Sequence, residues 1–150
     1  MTPPPPSGSV GEEADDLGLD PSHLKVVRDG MNAVVNSAGG TARGAAIRVP
    51  GMEMAGKTET PQVRRISLSE RQSGVIKNEH LPWERRDHAL FIGYAPVANP
   101  RYSVAVVIEH GGAGSKAAVA PVGRDILLKI QQLDAARIAR AAGDASHRPG

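Results

Sequence analysis

The part of this chain that speaks of chemistry is GMEMAGKTETPQV, residues 51–63, where a short apolar run meets Lys57 and Thr58 and Glu59 then stands between two threonines. A second candidate is Ser22-His23-Leu24-Lys25, the one S-x-x-K spacing in the sequence. A serine becomes a nucleophile when a neighbouring base activates it. On a helical wheel, however, Ser22 and Lys25 fall with Asp29, opposite Leu24, Val27 and Met31. A lysine exposed in that way is a poor base, so Ser22 reads as a first-turn polar residue and no nucleophile is assigned. Residues 111–116, GGAGSK, approach a phosphate loop, but that loop needs G-x-x-x-x-G-K-[ST]. Here Ser115 intervenes and Ala117 follows the lysine, so a strand-to-helix turn accounts for the glycines. Glu109 and His110 end a strand side by side with no third ligand nearby. A metal site needs more, so none is assigned and the pair reads as a solvated strand end. Arg64-Arg65 and Arg85-Arg86 read as solvated loop charge.

Composition narrows the classes. The 150 residues suit one domain with a modest core, and with 3% aromatic residues that core must be aliphatic. Eighteen basic against 16 acidic residues give +2, too small a surplus to imply nucleic acid. Cysteine is absent, which removes disulfides and zinc–cysteine sites. No cofactor is implied. No run of about 18 apolar residues occurs, as a membrane span would require, and the N-terminus has no basic n-region or apolar h-region. As written, the chain is expected to stay in the cytoplasm.

The elements that position these residues follow from pattern. Residues 1–18 are rich in Pro, Gly, Ser and acids and are expected to be disordered. Asp20 can cap a helix with Pro21 at its first position. Leu24, Val27, Met31, Val34 and Val35 form its core stripe, and it should end near Asn36 before the glycine-rich SAGGTARGAA. A strand over 52–58 carries the lysine. Residues 64–86 read as a long polar loop, functional or partly ordered by packing. Strands over 88–96 and 102–110, joined by VANPR, make a hairpin. A helix is expected from about Lys116 to about Ala141, with its start or a kink at Pro121 and with Val122, Ile126, Leu127 and Ile130 facing one way. The fold class is α+β: a three-stranded antiparallel sheet, a preceding helix and a long C-terminal helix. Residues 19–132 form the domain and 133–150 its helix end and frayed tail.

GMNAVVNSAGGTA, AGKTETPQV and LPWERRDHALFIGYAPVANPRYSVAVVIEHGGAGSKAAVAPVGRDILL together resemble the C-terminal part of the penicillin-binding protein 2 family, over roughly residues 17–132. These are class B, elongation-type peptidoglycan D,D-transpeptidases of the serine β-lactamase and penicillin-binding fold. K-T-E-T stands where that family has K-T-G-T, the third motif beside S-x-x-K and S-x-N. The resemblance implies that Lys57 lends positive charge to the catalytic serine's surroundings and to the substrate's terminal carboxylate. It implies that Thr58 and Thr60 help hold the stem peptide or penicillin, with the Thr60 N–H as an oxyanion-hole donor. The substrate would lie against the strand as an added strand, which is why the third motif position is glycine.

This sequence departs from the pattern. Glu59 replaces the glycine, adding bulk and negative charge, and it shares a face with Lys57 only if the strand is regular. Pro61 removes an N–H. No S-x-N occurs, and the S-x-x-K at Ser22 is misplaced relative to Lys57. The expectation is a truncated, inactive transpeptidase domain in which Lys57 is the remnant of the K-T-G motif. The alternative is a non-catalytic interaction module. The family faces the periplasm from the inner membrane, and its sheet has five strands, of which this chain would supply three. The YSVAVVI strand would then expose an apolar edge, giving marginal stability or self-association.

Overall fold

A computed structural model describes residues 18–146. Most of the segment expected to be disordered, and the last residues of the tail, lie outside this range. Six main elements follow in order: α1 (Pro21–Asn36), β1 (Ala55–Glu59), α2 (Leu68–Ser73), β2 (Ala89–Ala95), β3 (Tyr102–Ile108) and α3 (Gly112–Ser146).

Helix α1 begins as its sequence dictates. The Asp20 carboxylate accepts from the Ser22 N–H at 2.7 Å, with Pro21 following in the first turn. Its other end reaches the sheet: Asn36 Nδ2 donates to the Met54 carbonyl at 2.9 Å, and Val35 is fully buried. The expected core stripe is only half realised. Leu24 is 36% and Val27 59% exposed, because the first turns stand beside Tyr94 and Val97 without closing on them.

The sheet has strand order β1-β2-β3, antiparallel throughout. Lys57 pairs with Ile92, Gly56 with Gly93, and Ala105 with Ile92 from the other side. Strand period 2 separates the faces. Ala89, Phe91, Gly93 and Ala95 are buried on β2, while Val104 and Val106 of β3 pack against the same core. Ile92, Ala105 and Val107 face outward. Phe91, the one phenylalanine of the chain, is fully buried. Glycines surround it from three elements. A β-carbon added to Gly56, Gly93 or Gly123 would fall within 2.6, 2.7 or 2.6 Å of its ring, closer than side chains tolerate, so the ring lies flush against backbone.

Helix α3 starts at Gly112, earlier than expected, and encloses Pro121 rather than starting there. Its buried face also differs from the expected one. Val119, Ala120, Gly123, Leu127 and Gln131 are buried, at near four-residue spacing. Val122, Ile126 and Ile130 lie one position round and are 42%, 41% and 37% exposed. The cause is Phe91. Its ring needs a residue without a side chain above it, which turns Gly123 and not Val122 to the sheet. No described helix is long and apolar enough to cross a membrane.

Residues 64–86 are ordered by packing. The Ser67 hydroxyl caps α2 by accepting from the Glu70 N–H. Arg64 grips Glu70 through two bonds of 2.7 and 2.6 Å, and Arg86 Nε donates to the Leu81 carbonyl. These two arginines therefore tie the loop together rather than forming solvated charge, because each reaches an acceptor the loop itself presents. The Glu70 carboxyl is held down to about 2 by the Arg64 guanidinium first and then by the Ile76 N–H. Because the folded value is depressed, this contribution to order is complete above the unfolded carboxylate range, near 4.5, and is lost as pH falls from there towards 2. We expect the Ile76 amide resonance, whose N–H bonds Glu70 Oε1 at 3.1 Å, to titrate in that acid window. A midpoint near the ordinary carboxylate value would contradict the pairing.

Candidate substrate-binding edge

Lys57 lies in a regular stretch of β1 opposite Ile92, with Thr58 opposite Phe91 and Glu59 opposite Leu90. Regularity puts Lys57 and Glu59 on one face. Their side chains are 54% and 66% exposed, with Nζ 3.8 Å from Glu59 Oε2. The same ammonium donates to the Thr58 carbonyl at 2.5 Å. The lysine is thus turned along its own strand, held by a carboxylate and a carbonyl.

β1 pairs with β2 alone, so its other edge carries main-chain groups that no described strand takes up. Met54 and Thr58 show which groups these are. The Met54 carbonyl receives Asn36 and the Thr58 carbonyl receives Lys57. Alternation places the main-chain groups of Gly56 and Thr60 on that same edge. Thr60 stands one residue past β1, and after it Pro61 accepts from the His88 N–H at 3.3 Å.

One neighbour has no signal in the sequence. Thr41, in the glycine-rich turn after α1, brings its Oγ1 within 3.3 Å of Thr58 Oγ1. The turn can approach because Gly40 lies against Ala33 and Val34 of α1, where a β-carbon would fall 2.7 Å from the Ala33 carbonyl oxygen. Lys57 with Glu59 therefore stands on one face of this strand edge, and Thr58 with Thr41 on the other. Such an edge can bind an extended peptide by main-chain pairing and hold a carboxylate by charge.

Ser22 and Lys25 are not part of this edge. Lys25 is bound to Asp29 at 2.6 Å, both well exposed, and Ser22 serves the helix cap, its side chain first and its N–H second lowering the Asp20 carboxyl. His110 departs from the expected solvated strand end. Its N–H donates to His88 Nδ1 at 2.9 Å, and its ring lies 4.6 Å from Trp83 and 4.7 Å from His88. The hairpin register, continued past Ala89 opposite Ile108, sets residue 88 opposite 109 and next to His110, and the preceding loop brings Trp83 to the His110 ring. Among the described residues no cluster of three or more His, Cys, Asp or Glu could hold a metal.

The profile of the penicillin binding protein transpeptidase domain matches residues 12–128. The chain belongs to that family. Peptidoglycan D,D-transpeptidase MrdA of Acinetobacter baumannii is 39% identical over 101 residues, which is 67% of this chain and 14% of that protein. MrdA of Escherichia coli K12 is 38% identical over 106 residues, 70% of this chain and 16% of the relative. The chain thus spans about a seventh of the length of the relatives it matches. Among solved structures, the Helicobacter pylori complex of PBP2 with MreC aligns at TM-score 0.56 and 27% identity, covering 75% of this chain and 18% of that one. The transpeptidase domain of Burkholderia pseudomallei penicillin-binding protein 3 aligns at 0.52 and 28%, covering 75% and 30%. The penicillin-binding transpeptidase fold is therefore present in part: a three-stranded antiparallel sheet with its helices.

Proposed function

We propose that these 150 residues form the substrate-edge part of a peptidoglycan D,D-transpeptidase domain and carry out no acyl transfer by themselves. The observation that carries this reading is β1. It is a lysine strand with an open edge, in a chain of the transpeptidase family, whose one S-x-x-K has its lysine bound to Asp29. Acyl transfer in this family needs a serine activated by a nearby base, and neither Ser22 nor Lys25 adjoins the Lys57 edge. The test is incubation with a penicillin followed by intact mass. No added mass is expected. A stoichiometric adduct, lost after prior heat denaturation, would overturn the reading and make Ser22 the first suspect.

A second reading is favoured by the exposure of Lys57 and keeps non-covalent binding. Its ammonium and the Thr60 hydroxyl hold the carboxylate of a D-Ala-D-Ala peptide. Glu59, 3.8 Å from the ammonium, competes with that carboxylate. Binding followed by amide shifts should therefore be weak, lost in Lys57→Ala and strengthened in Glu59→Gly. Peptide shifts that persist in Lys57→Ala would sink this second reading.

A further inference from the structure

We propose that His88 is a pH-sensitive pin: neutral, its ring ties the head of α3 to the end of the lysine strand, and protonated, it releases them. This goes beyond the transpeptidase reading and does not depend on it.

Three chain segments meet at this one residue. Its own N–H donates to the Pro61 carbonyl at 3.3 Å, one residue past Thr60. Its Nδ1 accepts the His110 N–H at 2.9 Å, two residues before α3 begins. Its ring stands edge-on to that of His110, with centroids 4.7 Å apart. His110 is held at φ 50°, the one residue other than glycine with a left-handed backbone among the described residues. A β-carbon disfavours that conformation, so the partner of its N–H is part of what keeps the turn in place.

The two rings answer a proton in opposite ways. A nitrogen that accepts a hydrogen bond must offer a lone pair, so His88 carries its hydrogen on Nε2 and leaves Nδ1 bare. A second proton can go only to Nδ1, where it removes the acceptor and sets one N–H against another. His110 Nδ1 lies 3.2 Å from the Arg86 carbonyl. A carbonyl only accepts, so this nitrogen carries a hydrogen. Protonating His110 therefore fills its Nε2 and leaves the bond to Arg86 in place. The pH response belongs to His88, and histidine is the side chain that ordinarily changes charge between about pH 8 and 5.

The charges around the pin have other partners. On its own segment, Asp87 receives Asn78 Nδ2 at 2.7 Å and Arg86 Nε donates to the Leu81 carbonyl, while Glu84 and Arg85 are exposed beside Trp83. From the chain after β1, Arg64 holds Glu70. Glu59 of β1 shares the sheet face two positions along and stands by Lys57. Lys116 is the first charge of α3 in the sequence. From β3, the ladder continued past Ile108 sets Glu109 opposite His88. Among the described residues His88 takes part in no ion pair. Opposite charges across a strand pair attract, so a protonated His88 gains in Glu109 a partner that the pinned ring lacks.

Amide resonances of the isotope-labelled chain, followed from about pH 8 to about pH 5, test the pin. Corrected for intrinsic exchange, the His110 amide should exchange roughly tenfold faster at the acid end, as loss of one hydrogen bond allows. The Thr60 amide should shift with the same midpoint as the His88 ring. His88→Asn puts an oxygen where Nδ1 stood, an acceptor that takes up no proton in this range, and should keep the residue 110 amide protected throughout. His110→Asn keeps the N–H, tolerates a left-handed backbone and removes the other ring, and should leave the step as in the wild type. Circular dichroism checks that each variant is folded. Ring nitrogen shifts of the wild type at the alkaline end need no variant: His88 must carry its hydrogen on Nε2 and His110 on Nδ1. A His88 ring with its hydrogen on Nδ1, a His110 amide that stays protected while His88 titrates, a step that survives in folded His88→Asn, or one lost in folded His110→Asn would each overturn the proposal.

Discussion

Phe91→Ala costs this fold about 3–5 kcal/mol, at the upper end of large-to-small core changes. The ring is fully buried, and its immediate neighbours include three glycines, Gly56 on β1, Gly93 on β2 and Gly123 on α3. Most core cavities shrink because nearby side chains lean in. Here the nearest surfaces are backbone, which can close the void only by moving a strand or a helix. Domains of this size are stable by roughly 5–15 kcal/mol, so the change removes at least about a fifth of what holds the chain folded. Urea unfolding followed by circular dichroism measures it. A loss under about 1 kcal/mol would show that the ring does not join the three elements.

Leu127→Ala is the second large effect, about 2–5 kcal/mol, and its neighbour Ile126→Ala supplies the comparison. The two differ by one position and by about 100° round α3. Leu127 is fully buried in the core cluster, whereas Ile126 is 41% exposed. The Ile126 change removes fewer contacts and leaves no closed cavity, so it should cost well under half as much. Equal costs would mean that α3 is rotated about its own axis, and that the stripe from Val122 to Ile130 is core after all.

That comparison marks where the sequence can be read and where it cannot. Helix α1 is legible at its start because Asp20 and Pro21 act locally, within one turn. The hairpin is legible from two apolar runs around VANPR. The face of α3 is not. Apolar residues lie on both candidate faces, and the choice rests on Gly123 and Gln131, residues to which a hydrophobic pattern assigns no burial. Gln131 is buried because its Nε2 donates to the carbonyls of Met52 and Leu127, each at 3.1 Å. Its value depends on a partner 79 residues away, which no local window contains. The same limit applies at the candidate edge. Lys57 and Thr58 can be found from their place after an apolar run, but Thr41 cannot, because the turn that carries it meets β1 only in the folded chain. Helix α2 escapes a pattern reading because LSERQS has no apolar period. Ser67 and the Arg64–Glu70 pair make it.

The lengths of the connections set how each strand is held. Residues 96–101 join β2 to β3, whereas residues 60–88 join β1 to β2. Closing the longer connection costs roughly 1.5 kcal/mol more chain entropy, since the cost grows as the logarithm of length. The hairpin is thus tethered by its own turn. The lysine strand has no such tether, and its place beside β2 is kept by what lies on either side of it, the Phe91 ring against Gly56 and the Asn36 amide on the Met54 carbonyl. The strand bearing the candidate chemistry is therefore the one whose position rests on its ladder and its neighbours rather than on a short turn.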